Sequence, residues 1–181
     1  MNPVKFQNAT TEDIPAEIQA LLDMLPDKSN EKRGIYIHGG VGIGKTHILY
    51  AIEKYLLERR HGCFIINAVD LLFDIKKDFD RLIQDKQQPL EFILTDQRLL
   101  LLDDLGSEKP TEWVQETFYH IINRRYVENR TIIITSNHAI QELAEHIGDR
   151  TTSRIIEMCN IVEMSGKDRR IQNPNKISIK V

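Results

Sequence analysis

Residues 39–46 read Gly-Gly-Val-Gly-Ile-Gly-Lys-Thr and satisfy the pattern G-x-x-x-x-G-K-[ST] through Gly39, Gly44, Lys45 and Thr46. Nothing else in the 181 residues limits the fold so strongly. The apolar run Ile35-Tyr36-Ile37 precedes the loop, and Ile48, Leu49, Ile52, Tyr55 and Leu56 follow it at helical spacing. This order predicts a strand, a loop and then a helix. Glycines let the backbone turn its N–H groups toward a phosphate where side chains would obstruct them. The next helix aims its positive end at the same anion. The expected nucleotide-binding residues are Gly39, Gly40, Val41, Gly42, Ile43, Gly44, Lys45 and Thr46 with the adjoining His47. Lys45 would reach the β- and γ-phosphates of ATP, and the Thr46 hydroxyl would ligate Mg2+.

A loop of this kind belongs to a parallel sheet crossed by helices, and the rest of the chain alternates accordingly. Residues 11–25 predict a helix with Ile14, Ile18, Leu21, Leu22 and Leu25 on one face and Pro15 near its first turn. A polar link, Asp27 to Arg33, leads to the first strand, and Gly62 is placed to cap the helix after the loop. Phe64-Ile65-Ile66 predicts a second strand, and Leu71, Leu72, Ile75, Phe79, Leu82 and Ile83 line a following helix. Leu99 to Leu102 is apolar at every position, as a strand buried on both faces should be. Pro110 and Thr111 open a helix carrying Val114, Phe118, Ile121 and Ile122 inward. A fourth strand over Thr131 to Thr135, a helical stretch through Leu143 and Ile147, and a fifth strand over Ile161 to Met164 complete the pattern. The expected fold is α/β, with three layers around five strands. The expected division is an N-terminal helix and linker over 1–33, a core over 34–166 and a basic tail over 167–181.

Composition narrows the setting. No apolar stretch reaches the ~20 residues a membrane span needs, and the N-terminus lacks a signal-peptide pattern. The two cysteines, Cys63 and Cys159, read as small core residues, and the chain as cytoplasmic. A net charge of −3 excludes a basic nucleic-acid binder overall. The charge is uneven, however: Lys167, Arg169, Arg170, Lys176 and Lys180 face only Asp168 in the last segment. Such a tail suits phosphate or an acidic partner, or a solvated end.

Three further elements carry chemistry. In LLLLDD, residues 99–104, a buried strand ends in carboxylates at the sheet edge where nucleotides bind in open α/β sheets. Asp103 is the expected magnesium partner, and Asp104 can orient or deprotonate the attacking water. Asn137, in Thr135-Ser136-Asn137, either positions that water or caps the next helix. Arg154 and, second to it, Arg150 in GDRTTSRIIE either form ordinary ion pairs or reach the γ-phosphate in a neighbouring subunit.

Strand, phosphate loop and helix, then LLLLDDLGSE with Trp113 beyond it, then TSN, then SRIIE, form an ordered set over roughly residues 34–170. It resembles the AAA+ ATPases of the DnaC/DnaI/IstB group, bacterial replicative helicase loaders and transposon ATP-binding helpers. The resemblance implies a P-loop NTPase fold with strand order 5-1-4-3-2, and ATP and Mg2+ as cofactors. It makes Asp103 the magnesium-associated acid, Asp104 the catalytic acid, Asn137 sensor 1 and Arg154 the finger acting on a neighbouring copy. It further implies ATP hydrolysis that is slow and stimulated by a partner or DNA, self-assembly, single-stranded DNA contact and a replicative helicase as partner.

Two departures stand out: only about 33 residues precede the first strand, and no C-terminal helical lid is expected. DNA contact would involve Lys76, Lys77, Arg81 and Lys86, which interleave with Asp74, Asp78, Asp80 and Asp85 and equally suit ion pairs along a helix. Alternative functions are a transposition helper, a P-loop small-molecule kinase, and a nucleotide-binding interaction module with little turnover. The last is suggested by Asp104 standing where many relatives carry the longer Glu.

Overall fold

Ile35 and Ile37 point to one side of their strand and Tyr36 to the other, and none of the three has exposed surface. They belong to β1 (Gly34–Gly39) in a computed structural model that describes residues 4–25, 32–80, 93, 96, 98–168 and 178–180. On one side β1 pairs with β4 (Ile132–Ser136), on the other with β5 (Cys159–Ser165), parallel to both. Beyond β4 lie β3 (Leu99–Leu105) and β2 (Cys63–Asn67), also parallel. The parallel strands therefore run β2-β3-β4-β1-β5, which is the expected 5-1-4-3-2 order read from the opposite edge. Within the basic segment, β6 (Ser178–Lys180) adds an antiparallel sixth strand against β5.

Helices cover both faces. The alternation of side chains along each strand sends Ile35, Ile37, Leu101, Ile133 and Val162 toward α1 (Ala16–Met24) and α2 (Lys45–Glu58). It sends Tyr36, Leu100, Leu102, Ile132 and Ile134 toward α3 (Ala68–Asp80), α4 (Glu112–Val127), α5 (Ile140–Ile147) and α6 (Asp149–Met158). The result is the three-layer P-loop NTPase fold. Both cysteines are buried and free, and burial pushes the Cys63 thiol up to about 11 and that of Cys159 up further. Among the described residues, no helix is long and apolar enough to cross a membrane.

The structure corrects the expected elements in several places. The helix expected over 11–25 is a short 3-10 turn, Thr11–Asp13, followed by α1. Ile14 precedes a proline and so stays extended (φ −78°, ψ 120°), which separates the two. Gly62 does not cap α2: the chain turns at Arg60, which takes φ 62°. Strand β3 runs past Leu102 through both aspartates to Leu105, longer than expected. Helix α6 has no counterpart in the expected pattern. Gly148, at φ 84°, separates it from α5, and it buries only Thr151, Thr152, Ile155 and Met158, too polar a stripe to announce a helix. Leu71, Leu72 and Ile75 face the core as expected, while the Phe79 side chain, Leu82 and Ile83 lie outside the described residues. Arg169, Arg170 and Lys176 of the basic segment lie outside them too.

Candidate nucleotide site

The phosphate loop leaves the end of β1 and enters α2 at Lys45. A Cβ on Gly39 would sit 2.0 Å from the Met164 carbonyl oxygen of β5, so only glycine lets the two strands run this close. Gly44, the residue before the helix, takes φ 104°, which L side chains rarely adopt. Lys45 is buried, and its Nζ donates to the carbonyls of Gly39 at 2.7 Å and Gly40 at 2.8 Å and to Asn137 Oδ1 at 2.7 Å.

The carboxylates come from an irregularity in β3. Its register against β4 shifts between Leu102 and Leu105, and Asp104 takes φ 59°. That conformation costs an aspartate about 1 kcal/mol and persists only where neighbours hold it. Here Thr135 Oγ1 accepts the Asp104 N–H at 2.9 Å, Ser107 Oγ donates to the Asp104 carbonyl at 2.8 Å, and Asn137 Nδ2 donates to Asp104 Oδ1 at 2.7 Å. The same Thr135 hydroxyl donates to Asp103 Oδ1 at 2.6 Å. Thr46 Oγ1 lies 3.1 Å from both oxygens of Asp103. Burial pushes the Asp103 carboxyl above its ordinary value and the Asp104 charge adds to this, against the hydrogen bonds from Thr135 and Thr46.

A hydroxyl and a carboxylate side by side are hard oxygen donors, the set Mg2+ takes when substrate phosphates and water complete its shell. Among the described residues no group of three or more metal-ligating side chains occurs. Thr46 and Asp103 thus fit magnesium brought with a nucleotide, not a resident all-protein metal site. Behind them, Glu108 is buried and accepts the Gly106 N–H at 3.1 Å, while His138 Nε2 lies 3.0 Å from the Gly106 carbonyl. Ser136 Oγ donates to the Leu105 carbonyl at 2.6 Å. The turn after the aspartates is therefore clamped from both sides.

Sequence reasoning missed one wall of the site. Phe6 lines the same cleft of about 490 Å³ as Lys45, Thr46, Asp104, Asn137 and the expected His47. Phe6 stacks on Tyr50 of α2, ring centres 4.8 Å apart and planes at 14°. Lys54 donates to the carbonyls of Gln7 and Ala9, and Asp13 Oδ2 lies 3.1 Å from His47 Nε2. Burial raises the Asp13 carboxyl, but hydrogen bonds from the Thr10 N–H and from His47 outweigh it and hold the group below its ordinary value. The first ten residues carry no motif that could have announced this contact.

Residues 16–161 match the family described as the bacterial DnaA ATPase domain. The chain belongs to that family. It is 26% identical over 171 residues to the replicative helicase loader DnaI of Bacillus subtilis (strain 168), a match covering 86% of this chain and 54% of that protein. The chain thus spans about half the length of the curated relative it matches. A crystal structure of the DnaC helicase loader superposes with a TM-score of 0.72 at 26% identity, covering 88% of this chain and 98% of that one. The replication initiator DnaA bound to AMPPCP and single-stranded DNA superposes with a TM-score of 0.68 at 26% identity, covering 87% and 50%.

In this DnaA-type domain the two arginines lie apart from the cleft. Arg154 donates from Nε to Asn123 Oδ1 of α4 at 2.6 Å, and none of the residues it touches lines the cleft. Arg150 is exposed on the first turn of α6. Helix α3, which directly follows β2, exposes Val69 and Phe73. Lys77 Nζ sits 4.2 Å from the centre of the Phe73 ring, and Lys76 Nζ 4.6 Å from that of Trp113. Among the described residues neither lysine is in an ion pair with a carboxylate. Arg81 and Lys86 lie outside the described residues.

Proposed function

We propose that the chain is an ATP-hydrolysing AAA+ switch that acts on a replicative helicase as its loader. The observation that carries the ATPase part is the side chain of Asn137, shared between the loop lysine and Asp104. A nucleotide entering the cleft draws Lys45 from Asn137 toward its β- and γ-phosphates. Thr46 and Asp103 would hold magnesium, which would supply charge neutralisation at the phosphates. Asp104, held by Asn137, accepts a proton from the attacking water. Phe6 covers one wall of the cleft against solvent. Arg154, on another flank, serves the γ-phosphate of a neighbouring copy, so hydrolysis depends on assembly.

The loader role is supported by the similarity to DnaI and by the superposition on DnaC. Single-stranded DNA contact through the α3 face is supported by Phe73, Lys76 and Lys77, an aromatic surface with cations beside it. The similarity to a DnaA structure bound to single-stranded DNA supports DNA contact as such.

The test is capture of purified replicative helicase by the chain, with ATP, with ADP and without nucleotide. Capture that changes between ATP and ADP and is lost to that control in Lys45→Ala supports the switch. No capture in any nucleotide state overturns the loader role, and unchanged ATP affinity in Lys45→Ala overturns the nucleotide site.

A further inference from the structure

Arg154 is held by uncharged groups although a carboxylate stands within reach. Its Nε donates to Asn123, and its terminal nitrogens make long bonds to the Tyr119 hydroxyl at 3.4 Å and the Arg150 carbonyl at 3.3 Å. The guanidinium carbon lies 5.1 Å from the centre of the Tyr119 ring and 5.4 Å from that of Tyr126. Tyr119, Asn123 and Tyr126 recur at i, i+4 and i+7, so one face of α4 supplies all three. Glu157 follows Arg154 by three residues on α6, a spacing at which opposite charges pair. It accepts the Tyr126 hydroxyl instead, at 2.6 Å. Among the described residues no carboxylate forms an ion pair with Arg154.

An arginine that serves only to join two helices gains by taking the neighbouring carboxylate. Here that carboxylate accepts from Tyr126, and Arg154 forms no ion pair among the described residues while its Nε is fixed. A guanidinium carries five N–H donors, and these three bonds use three of them. A donor that is oriented beforehand needs no reorganisation when charge develops opposite it.

We propose that Asn123 and Tyr126 are positioning residues for Arg154. Asn123 fixes the guanidinium through Nε. Tyr126 turns its ring to it and holds the Glu157 carboxylate away, so that the cation meets a second copy's γ-phosphate oriented and unneutralised. This rests on the proposed role of Arg154 between copies.

The test is steady-state ATP hydrolysis by the whole chain under assembling conditions, with nucleotide affinity measured in parallel. Tyr126→Phe keeps the ring and frees Glu157 to pair with Arg154. Asn123→Ala and Tyr126→Phe are expected to lower kcat at least about fivefold with KM changed less than about twofold, the signature of an interaction made in the transition state. Adding Glu157→Gln to Tyr126→Phe is expected to restore most of the loss, which a merely structural hydroxyl would not allow. A loss that Glu157→Gln does not relieve overturns the proposal. Unchanged kcat in both single variants, with a loss in Arg154→Ala, overturns it too and leaves the finger reading standing. Unchanged kcat in Arg154→Ala removes that reading itself. If Asn123→Ala melts early, Asn123→Asp carries the test by offering Arg154 a carboxylate. A raised melting temperature with lowered kcat supports positioning, and a raised melting temperature with kcat unchanged overturns it.

Discussion

Asn137 holds Asp104 through Nδ2 and Lys45 through Oδ1, each at 2.7 Å. One amide thus touches both the group proposed to take a proton and the cation proposed to meet the phosphates. Because the amide is shared, its removal should disturb the chemical step more than the binding of substrate. Asn137→Ala is expected to lower kcat by about a hundredfold, the scale of losing one oriented polar group at a reacting centre, while ATP affinity changes only a few-fold. Single-turnover hydrolysis beside a nucleotide titration checks this. Equal losses in both would mean that Asn137 only shapes the loop.

Asp103 gives a stability prediction of opposite sign. It is buried beside Asp104, and burial disfavours its charge in the absence of a cation. Asp103→Asn keeps an acceptor for Thr135 and removes the buried charge. The variant is expected to be more stable than the parent by about 1 kcal/mol, raising Tm by about 2–4 °C for a chain this size. Magnesium should then add little to its nucleotide affinity. Melting curves with and without magnesium and nucleotide read both effects.

Glu108 makes stability depend on pH. Burial pushes its carboxyl above the ordinary value, the Asp104 charge adds to this, and His138 partly opposes it. Between the ordinary and raised values the folded chain keeps a proton that the unfolded chain releases. The contribution is therefore complete below the ordinary glutamate value and lost as pH rises through the raised one. Glu108→Gln, which still accepts the Gly106 N–H, should flatten this part of the profile. Urea midpoints at several pH values from 4 upward measure it, and parallel profiles for the two proteins would refute it.

Among the described residues Arg125 is the largest fully buried side chain, 1% exposed, and it donates to the carbonyls of Arg98, just before β3, and Thr131, just before β4. Burial brings its guanidinium down to about 10. Arg125→Ala leaves a cavity and takes the guanidinium donors from the Arg98 and Thr131 carbonyls, the latter keeping the Leu100 N–H at 3.3 Å, so a loss of about 3 kcal/mol is expected. Denaturant unfolding checks it, and a loss below about 1 kcal/mol would show that water replaces the donor.

The elements that sequence patterning located were those whose neighbours in space repeat a simple rule. A strand buried on both faces is apolar throughout, so Leu99 to Leu102 and Ile132 to Ile134 stood out. The phosphate loop announced itself through its glycines. Asp103, Asp104 and Asn137 could be brought to one edge because the aspartates lie in the last residues of β3 and Asn137 directly follows β4, two neighbouring parallel strands. What escaped depends on the path of the chain in space. Phe6 reaches the cleft only because Lys54 and His47 tie the first residues to α2. Helix α6 hid because two of its four buried residues are threonines, and Arg154 ties it to α4 through Asn123. The backbone of Asp104 could not be foreseen, since its φ of 59° is imposed by Thr135, Ser107 and Asn137.

The placement of β1 orders events at birth. Gly34 pairs with Ile132 on one side and Cys159 on the other, so the strand that ends in the phosphate loop finds both neighbours only in the last part of the chain. As the polypeptide leaves the ribosome, Lys45 emerges long before Asn137 and the flank of Met164 that closes on Gly39. ATP cannot template the early stages of folding, because no half of the chain owns its binding site. The nascent protein must carry the unpaired, apolar Ile35 and Ile37 until β4 and β5 arrive, and long-range pairing of this kind slows folding.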